Sequence, residues 1–218
     1  MGIKAWRYAD ILAGAPEYVT GRQDEWKAFL TTAARNYKYP YYDQLMIYLQ
    51  RPEATACAEY DFWFDTMHRY VKRGAKGIAL VDNEGDSPKL RYVFDVADTG
   101  ARSNSRPVWL WQMKEEYQNP IMAALERAYG VSGENLSLEA QLEQVAGSLA
   151  SDYWMNYGRQ ISGIVADSFL EEYDEFNIGA AFRKAVQASI AYTLSVRCTE
   201  EAENQFEPED FRDVADFN

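Results

Sequence analysis

The chain has 218 residues, of which 47% are hydrophobic and 15% aromatic, so it can fill the core of one large domain or two small ones. Its net charge is −12, and no stretch approaches the roughly 18 uncharged apolar residues that a membrane span needs. Cys57 and Cys198 lie far apart without CxxC spacing, which argues against a disulfide framework and a structural zinc site. We therefore expect a soluble, unexported protein of a reducing cytoplasm, with no membrane partner.

The acidic residues are concentrated in the second half of the chain. Residues 1–114 hold 16 Lys and Arg against 14 Asp and Glu, a net charge of +2, whereas residues 115–218 hold 6 against 20, a net charge of −14. Because phosphate binding needs Lys and Arg, the first half can still face a nucleic acid. This shift in charge, together with Pro120, predicts two domains, residues 1–114 and an acidic helical region of residues 115–218.

The first part of the chain predicts three helices. Apolar residues at positions 26, 29, 30, 33 and 34 follow the spacing of an amphipathic helix, and Thr20 with Gln23 offers a capping box at its start. A second helix should begin after Pro40 and end before Pro52. A third, short helix is predicted over residues 60–67.

A small antiparallel β-hairpin is predicted after these helices. The apolar run IALV at residues 78–81 is followed by a turn rich in Asn, Gly, Asp, Ser and Pro, and then by alternating residues from 90 to 96. Residues 106–113 could add a further strand or an extended segment. The first half should therefore combine helices with a small sheet.

Helical signals return after Pro120. Residues 121–129, 138–157 and 178–196 are predicted helices, with Asn177 as the N-cap of the last one. The acidic tail from residue 199 onward shows no packing signal, and we expect the chain to be a fragment of a longer protein. The predicted fold class is α+β, mainly helical, with a small antiparallel β-hairpin or sheet after the first three helices.

The usual catalytic motifs are missing. His68 is the only histidine, so an HExxH zinc site is impossible, and neither a GxxxxGK[ST] phosphate loop nor a GxGxxG turn occurs. A carboxylate cluster could bind a metal or perform acid/base work, but it is also typical of a solvated acidic face. Its members are Asp167, Glu171, Glu172, Asp174 and Glu175. We predict no enzymatic activity, no cofactor and no metal within these residues.

A basic run lies close in sequence to many aromatic residues. Four cations fall within eight residues, and two glycines among them let the backbone approach a phosphate closely. The cations are Arg69, Lys72, Arg73 and Lys76, the glycines are Gly74 and Gly77, and the nearby rings are Tyr37, Tyr39, Tyr41, Tyr42, Trp63 and Tyr70. Cations that contact phosphates and rings that stack on exposed bases are what a single-strand site needs. Such a basic run is, however, more typical of a solvated connection into a strand, and the helical spacing of Trp26, Tyr41, Tyr48 and Trp63 beside leucines favours core positions for them.

A longer order of residues runs through positions 22–96. It reads Trp-Phe-Leu on one helix, Tyr and Gln-Leu-Met-Ile on the next, Gln-x-Pro, a Trp, and finally Val-x-Arg-Gly-x-Lys-Gly before a strand. The residues are Trp26, Phe29, Leu30, Tyr42, Gln44, Leu45, Met46, Ile47, Gln50, Pro52, Trp63, Val71, Arg73, Gly74, Lys76 and Gly77. This order resembles the N-terminal single-stranded-DNA-binding domain of ArdC-type antirestriction proteins, in the version at the front of large helicase/methylase-like proteins of conjugative elements. The sequence departs from that pattern at Asp43, where Asn is usual, and at Ala75, where Glu is usual.

The resemblance implies a bacterial, cytoplasmic, non-sequence-specific single-stranded-DNA-binding module of a mobile genetic element. It assigns phosphate contacts to Lys72, Arg73 and Lys76, and a phosphate or stacking contact to Arg69. Gln44 would be a polar contact, and Tyr42 and Trp63 would be stacking rings. The acidic helical half resembles the segment that follows in those proteins, to which no activity is assigned.

Two other functions are compatible with the sequence. The acidic half could imitate the charge of DNA and bind a restriction or other host defence enzyme. Alternatively, the chain could dock onto downstream helicase or methylase domains of a parent protein, which an apolar patch on the second half would favour.

Overall fold

The structure, a computed structural model, describes residues 2–82, 87–165, 170–200 and 202–217. Its α-helices are α1 (Gly2–Thr20), α2 (Gln23–Arg35), α3 (Tyr41–Gln50), α4 (Gln118–Tyr129), α5 (Leu138–Ile164), α6 (Glu175–Cys198) and the short α7 (Ala202–Gln205). A π-helical turn covers Phe62–Thr66, and 3-10 turns cover Val96–Asp98, Glu115–Tyr117 and Pro208–Phe217. The described strands are β1 (Cys57–Glu59), β2 (Tyr70–Val71), β3 (Ile78–Asp82), β4 (Lys89–Asp95) and β5 (Thr99–Gly100).

The strands form two small antiparallel sheets in the described part of the chain. One has the order β1-β4-β3, and the other pairs β2 with β5. The predicted hairpin is confirmed, because Ile78 pairs with Val93 and Asp82 pairs with Lys89. Its predicted turn includes residues 83–86, which lie outside the described residues. The predicted α+β class, mainly helical with a small antiparallel sheet after three helices, is confirmed.

Contacts divide the chain into two units. Met1–Tyr18 and Thr31–Trp111 form the first unit, and Val19–Leu30 and Gln112–Asn218 form the second. The grouping of residues 19–30 with the second unit is not indicated by any local sequence pattern. The predicted domain boundary between residues 114 and 115 stays a prediction.

The core of the first unit lies where α3 packs against β3. Leu45 and Ile47 on the helix and Leu80 on the strand are fully buried. The Gln50 side chain closes the outer edge of β3, since its Nε2 donates to the Ala79 carbonyl at 2.8 Å and its Oε1 accepts from the Ala79 amide at 2.9 Å. The Gln of the Gln-x-Pro pattern therefore has a structural role, because it satisfies backbone groups that an edge strand leaves unpaired.

The second unit is built on α5 and α6, which pack along each other. Leu142 and Val145 of α5 are buried in its core, as is Tyr192 of α6. The Tyr192 ring contacts Phe211 edge-on, with 5.5 Å between the ring centroids. Phe211 belongs to the acidic tail, so the prediction that this tail lacks packing is wrong: Phe211 and Val214 are buried although the composition of the tail is acidic.

Several elements differ from those expected. Helix α1 was not predicted, and residues 106–113 form no strand within the described part of the chain. The N-cap of α6 is Asp174, whose Oδ1 accepts from the Asn177 amide at 2.8 Å, so Asn177 lies inside the helix. Both residues can cap a helix, and Asp174 allows one more turn to form.

Candidate nucleic-acid interface

The basic turn between β2 and β3 carries the predicted phosphate contacts. Lys72, Arg73 and Lys76 are all exposed. The Lys72 amide donates to the Asp98 carbonyl at 2.8 Å, and its Nζ donates to the Ala97 carbonyl at 2.9 Å. Gly74 has a φ of +85°, a left-handed conformation that glycine adopts without a steric cost. The turn is therefore fixed at its start and presents Arg73 and Lys76 to solvent.

Arg69 lies before this turn and joins the two strands of the second sheet. Its Nε donates to the Thr99 hydroxyl at 2.7 Å, and its Nη2 lies 3.5 Å from the Thr99 carbonyl oxygen. A guanidinium has five N–H donors, so some remain for another acceptor. Arg69 can thus hold β5 in place and still contact a phosphate.

Trp63 is not available for stacking. Its side chain is only 2% exposed, and its Nε1 donates to the Phe94 carbonyl on β4 at 2.9 Å. The expectation that Trp63 stacks on a base is therefore corrected: the side chain belongs to the core. Its hydrogen bond explains how an indole is accommodated there, because buried Trp N–H groups need an acceptor.

Tyr42 and Gln44 lie on α3. Tyr42 is 59% exposed and lines a groove of about 780 Å³ together with residues of α1, β3 and β4. The cation in that groove is Arg91, which forms an ion pair with Asp43. Gln44 is half-buried, and its Nε2 makes a long hydrogen bond of 3.4 Å to the Asn36 carbonyl. The lining of this groove includes Tyr42 but none of the cations of the basic turn.

The departure at Asp43 is explained by its partner. Burial raises the pKa of the Asp43 carboxyl, and the Arg91 guanidinium opposes that rise. Asp43 and Arg91 therefore act as a pair that connects α3 to β4. An Asn at position 43 would remove this charge pair and leave the guanidinium only the Glu59 carboxylate, 3.7 Å away.

A row of three rings and one guanidinium lies at the surface of the first unit. The Tyr60 and Phe64 rings are stacked, with 5.9 Å between centroids and 10° between planes. The Arg102 guanidinium carbon lies 5.1 Å from the Phe64 centroid and 5.8 Å from the Tyr70 centroid. All four side chains are exposed. We call Tyr60, Phe64, Arg102 and Tyr70 the aromatic row.

The backbone around the row is held by hydrogen bonds. The π-helical turn Phe62–Thr66 is followed by His68, whose φ of +53° is uncommon for a residue with a side chain. The His68 carbonyl accepts from the Ser105 hydroxyl at 2.6 Å, and the Met67 carbonyl accepts from the Arg106 amide at 3.0 Å. π-Helical turns and strained residues are frequent at functional sites.

Gly100 determines where the Tyr70 ring lies. The two residues pair across β2 and β5, and a Cβ at Gly100 would be 2.3 Å from the Tyr70 ring. Only glycine lets the ring lie across the strand there. Lys72, the first cation of the basic turn, follows Tyr70 by two residues, just after the end of β2.

The sequence pointed to the basic turn but missed most of the row. A regular helix over residues 60–67 aligns Tyr60, Trp63 and Met67, and this pattern gives Phe64 no special role. Arg102 lies more than thirty residues further along the chain, and only the pairing of β2 with β5 brings it to Phe64. The closeness of Phe64 in sequence to the basic run is a signal that could have pointed to it.

The site also holds acidic groups. Asp61 and Asp65 are exposed and lie at or next to the π-helical turn. Their charges oppose phosphate binding and are screened over about 8–10 Å at physiological salt. The net positive charge of the surface thus depends on the basic turn together with Arg102.

Within the described residues, no group of three or more His, Cys, Asp or Glu is arranged to hold a metal ion. Of the carboxylates singled out in the sequence, Asp167 lies outside the described residues, while Glu171 and Glu172 are exposed. In the same part of the chain, no helix combines the length and apolar character needed to cross a membrane.

The chain was compared with known proteins. No protein-family model, no curated protein sequence and no solved structure matches it. Functional inference therefore depends on the residues of the site and on the resemblance of residues 22–96.

Proposed function

We propose that the first unit binds single-stranded DNA without sequence specificity, as a module of a conjugative or antirestriction protein of a bacterial mobile element. The observation that carries this proposal is the aromatic row, with its three exposed rings and central guanidinium, beside the exposed cations of the basic turn. Stacking rings together with phosphate-binding cations are the two parts that single-strand sites share.

The arrangement favours single strands over a duplex. In a duplex the faces of the bases are covered by their neighbours, so exposed rings such as Phe64 have nothing to stack on. In a single strand each free base can stack on a ring for about 1–3 kcal/mol, whatever its identity. Arg102 adds a planar cation that can stack on a base or contact a phosphate.

The resemblance supports the biological setting of the proposal. A single-strand-binding module of this kind would protect or position the strand that enters a recipient cell during conjugative transfer. It could equally deliver DNA to catalytic domains further along a parent protein. In both cases the affinity would come from backbone and stacking contacts.

The proposal predicts that Phe64→Ala weakens the binding of a fluorescein-labelled oligo(dT). Loss of one stacked base corresponds to about 5- to 150-fold in affinity. The matched control is Phe176→Ala, because Phe176 is also an exposed phenylalanine, 77% exposed, but belongs to the second unit. Fluorescence anisotropy at constant salt measures both dissociation constants.

Equal affinity of the two variants and the wild type would contradict the assignment of the row. A loss of affinity in both variants would point to unspecific contacts of exposed rings. Circular dichroism of each variant checks that the fold is retained.

A second candidate function belongs to the second unit. Several of its large apolar side chains are exposed, including Met155, Ile164 and Phe176, and the exposed rings of Tyr153 and Tyr157 stack at 5.9 Å. Exposed apolar groups of this kind favour a docking role toward downstream domains or a host defence enzyme. This role is compatible with strand binding by the first unit.

A further inference from the structure

The segment that follows β5 carries an exposed tryptophan. Trp109 is 87% exposed, and residues 105–114 belong to no helix or strand. A large aromatic side chain normally contributes by being buried, and one that remains in water adds little to the core. Trp109 therefore calls for an explanation other than packing.

The start of this segment is fixed to the turn that carries the aromatic row. The Arg102 amide donates to the Ser105 hydroxyl at 2.7 Å, and that hydroxyl donates to the His68 carbonyl at 2.6 Å. The Arg106 amide donates to the Met67 carbonyl at 3.0 Å. These bonds order the backbone before any ligand arrives, which lowers the entropy cost of binding.

The charge of the segment suits a polyanion. Residues 101–111 contain Arg102 and Arg106 and no Asp or Glu, although the whole chain carries a net charge of −12. Both arginines are exposed. A protein partner with a basic surface would be repelled here, whereas the phosphates of a nucleic acid would be attracted.

The reach of the segment limits how far Trp109 can lie from the row. Seven residue steps separate its Cα from that of Arg102, a member of the row, and each step spans at most about 3.6 Å, so the two Cα atoms are no more than about 25 Å apart. This limit corresponds to about seven nucleotides at about 3.4 Å per nucleotide in a stacked strand. A strand that stacks on the aromatic row can therefore continue to Trp109.

We infer that Trp109 is a second stacking position for the same single strand, and that the binding site extends from the aromatic row along residues 101–111. This inference rests on the proposed function. The ligand of the exposed Trp109 indole is therefore a nucleic acid. A protein partner at Trp109 is the alternative that the test separates.

The test uses the full chain and a ladder of labelled oligo(dT) from about 4 to about 16 nucleotides, the range of site sizes for single-strand-binding folds. For the shortest oligonucleotides that the wild type binds, Trp109→Ala should have the same affinity as the wild type. It should bind the longest ones about 5- to 150-fold more weakly. Phe64→Ala should weaken binding at every length, and Phe176→Ala at none.

Wild-type affinity at every length in Trp109→Ala, with Phe64→Ala still impaired, would overturn the inference and leave the proposed function standing. That pattern would assign the indole to a protein contact. Absence of binding by the wild type at every length would overturn both. A plateau of affinity at a shorter oligonucleotide in Trp109→Ala than in the wild type would support the extended site.

Discussion

Replacing Trp63 with alanine should lower the free energy of unfolding of the first unit by about 3–5 kcal/mol, the usual cost of removing a large aromatic side chain from a core. Trp63 is buried and its Nε1 donates to the Phe94 carbonyl, so the substitution leaves a cavity and removes the hydrogen bond to that carbonyl. Domains are stable by only about 5–15 kcal/mol, so the effect should be severe. Denaturant unfolding followed by circular dichroism measures it.

Trp63→Phe is the matched control. It keeps most of the packing and loses the indole N–H, so it should cost less than Trp63→Ala. Wild-type stability of Trp63→Ala together with a loss of DNA binding would contradict the core assignment and make Trp63 a stacking ring.

Reversing two charges of the basic turn, with Lys72→Glu and Lys76→Glu together, should weaken binding of oligo(dT) by at least about 100-fold at low salt. At a protein surface each cation contributes about 1 kcal/mol or more to the attraction of a phosphate at close range, and a Glu turns this into repulsion. Loss of two phosphate contacts should also reduce the slope of log affinity against log salt by about 1.4. Anisotropy titrations across a salt series measure both quantities.

Arg127→Glu with Arg159→Glu provides the control for this prediction. Both arginines are exposed in the second unit, and the pair changes the net charge by the same amount. If the two double variants weakened binding equally, the effect would come from net charge alone and the basic turn would not be the site.

Local patterns predicted most of the regular structure. The stripe that includes Phe29 and Leu30 marked α2, Pro40 marked the start of α3, and the alternation from residue 90 marked β4. These signals are local, because helix periodicity, proline geometry and strand alternation each depend on neighbours in sequence. Helix α1 lacked such a signal: it has Pro16 inside it and a weakly amphipathic sequence.

The candidate site was predictable only in part, and for a physical reason. The cations of the basic turn are adjacent in sequence, so the run itself indicated them. The aromatic row depends on the pairing of β2 with β5, on the π-helical turn that orients Phe64, and on the Gly100 that makes room for Tyr70. Strand pairing and an unusual helical turn are decided by contacts distant in sequence, which one sequence does not display.

The most direct test of strand binding is the anisotropy of a labelled oligo(dT) titrated with the wild-type protein across a salt series, with unlabelled duplex as competitor. We expect tight binding that the duplex competes for poorly, and a loss of about 0.7 log units of affinity per neutralised phosphate for each log unit of salt. No binding at low salt would contradict it. The resemblance would then reflect a shared fold without a shared activity. The docking role of the second unit would become the favoured function of the protein.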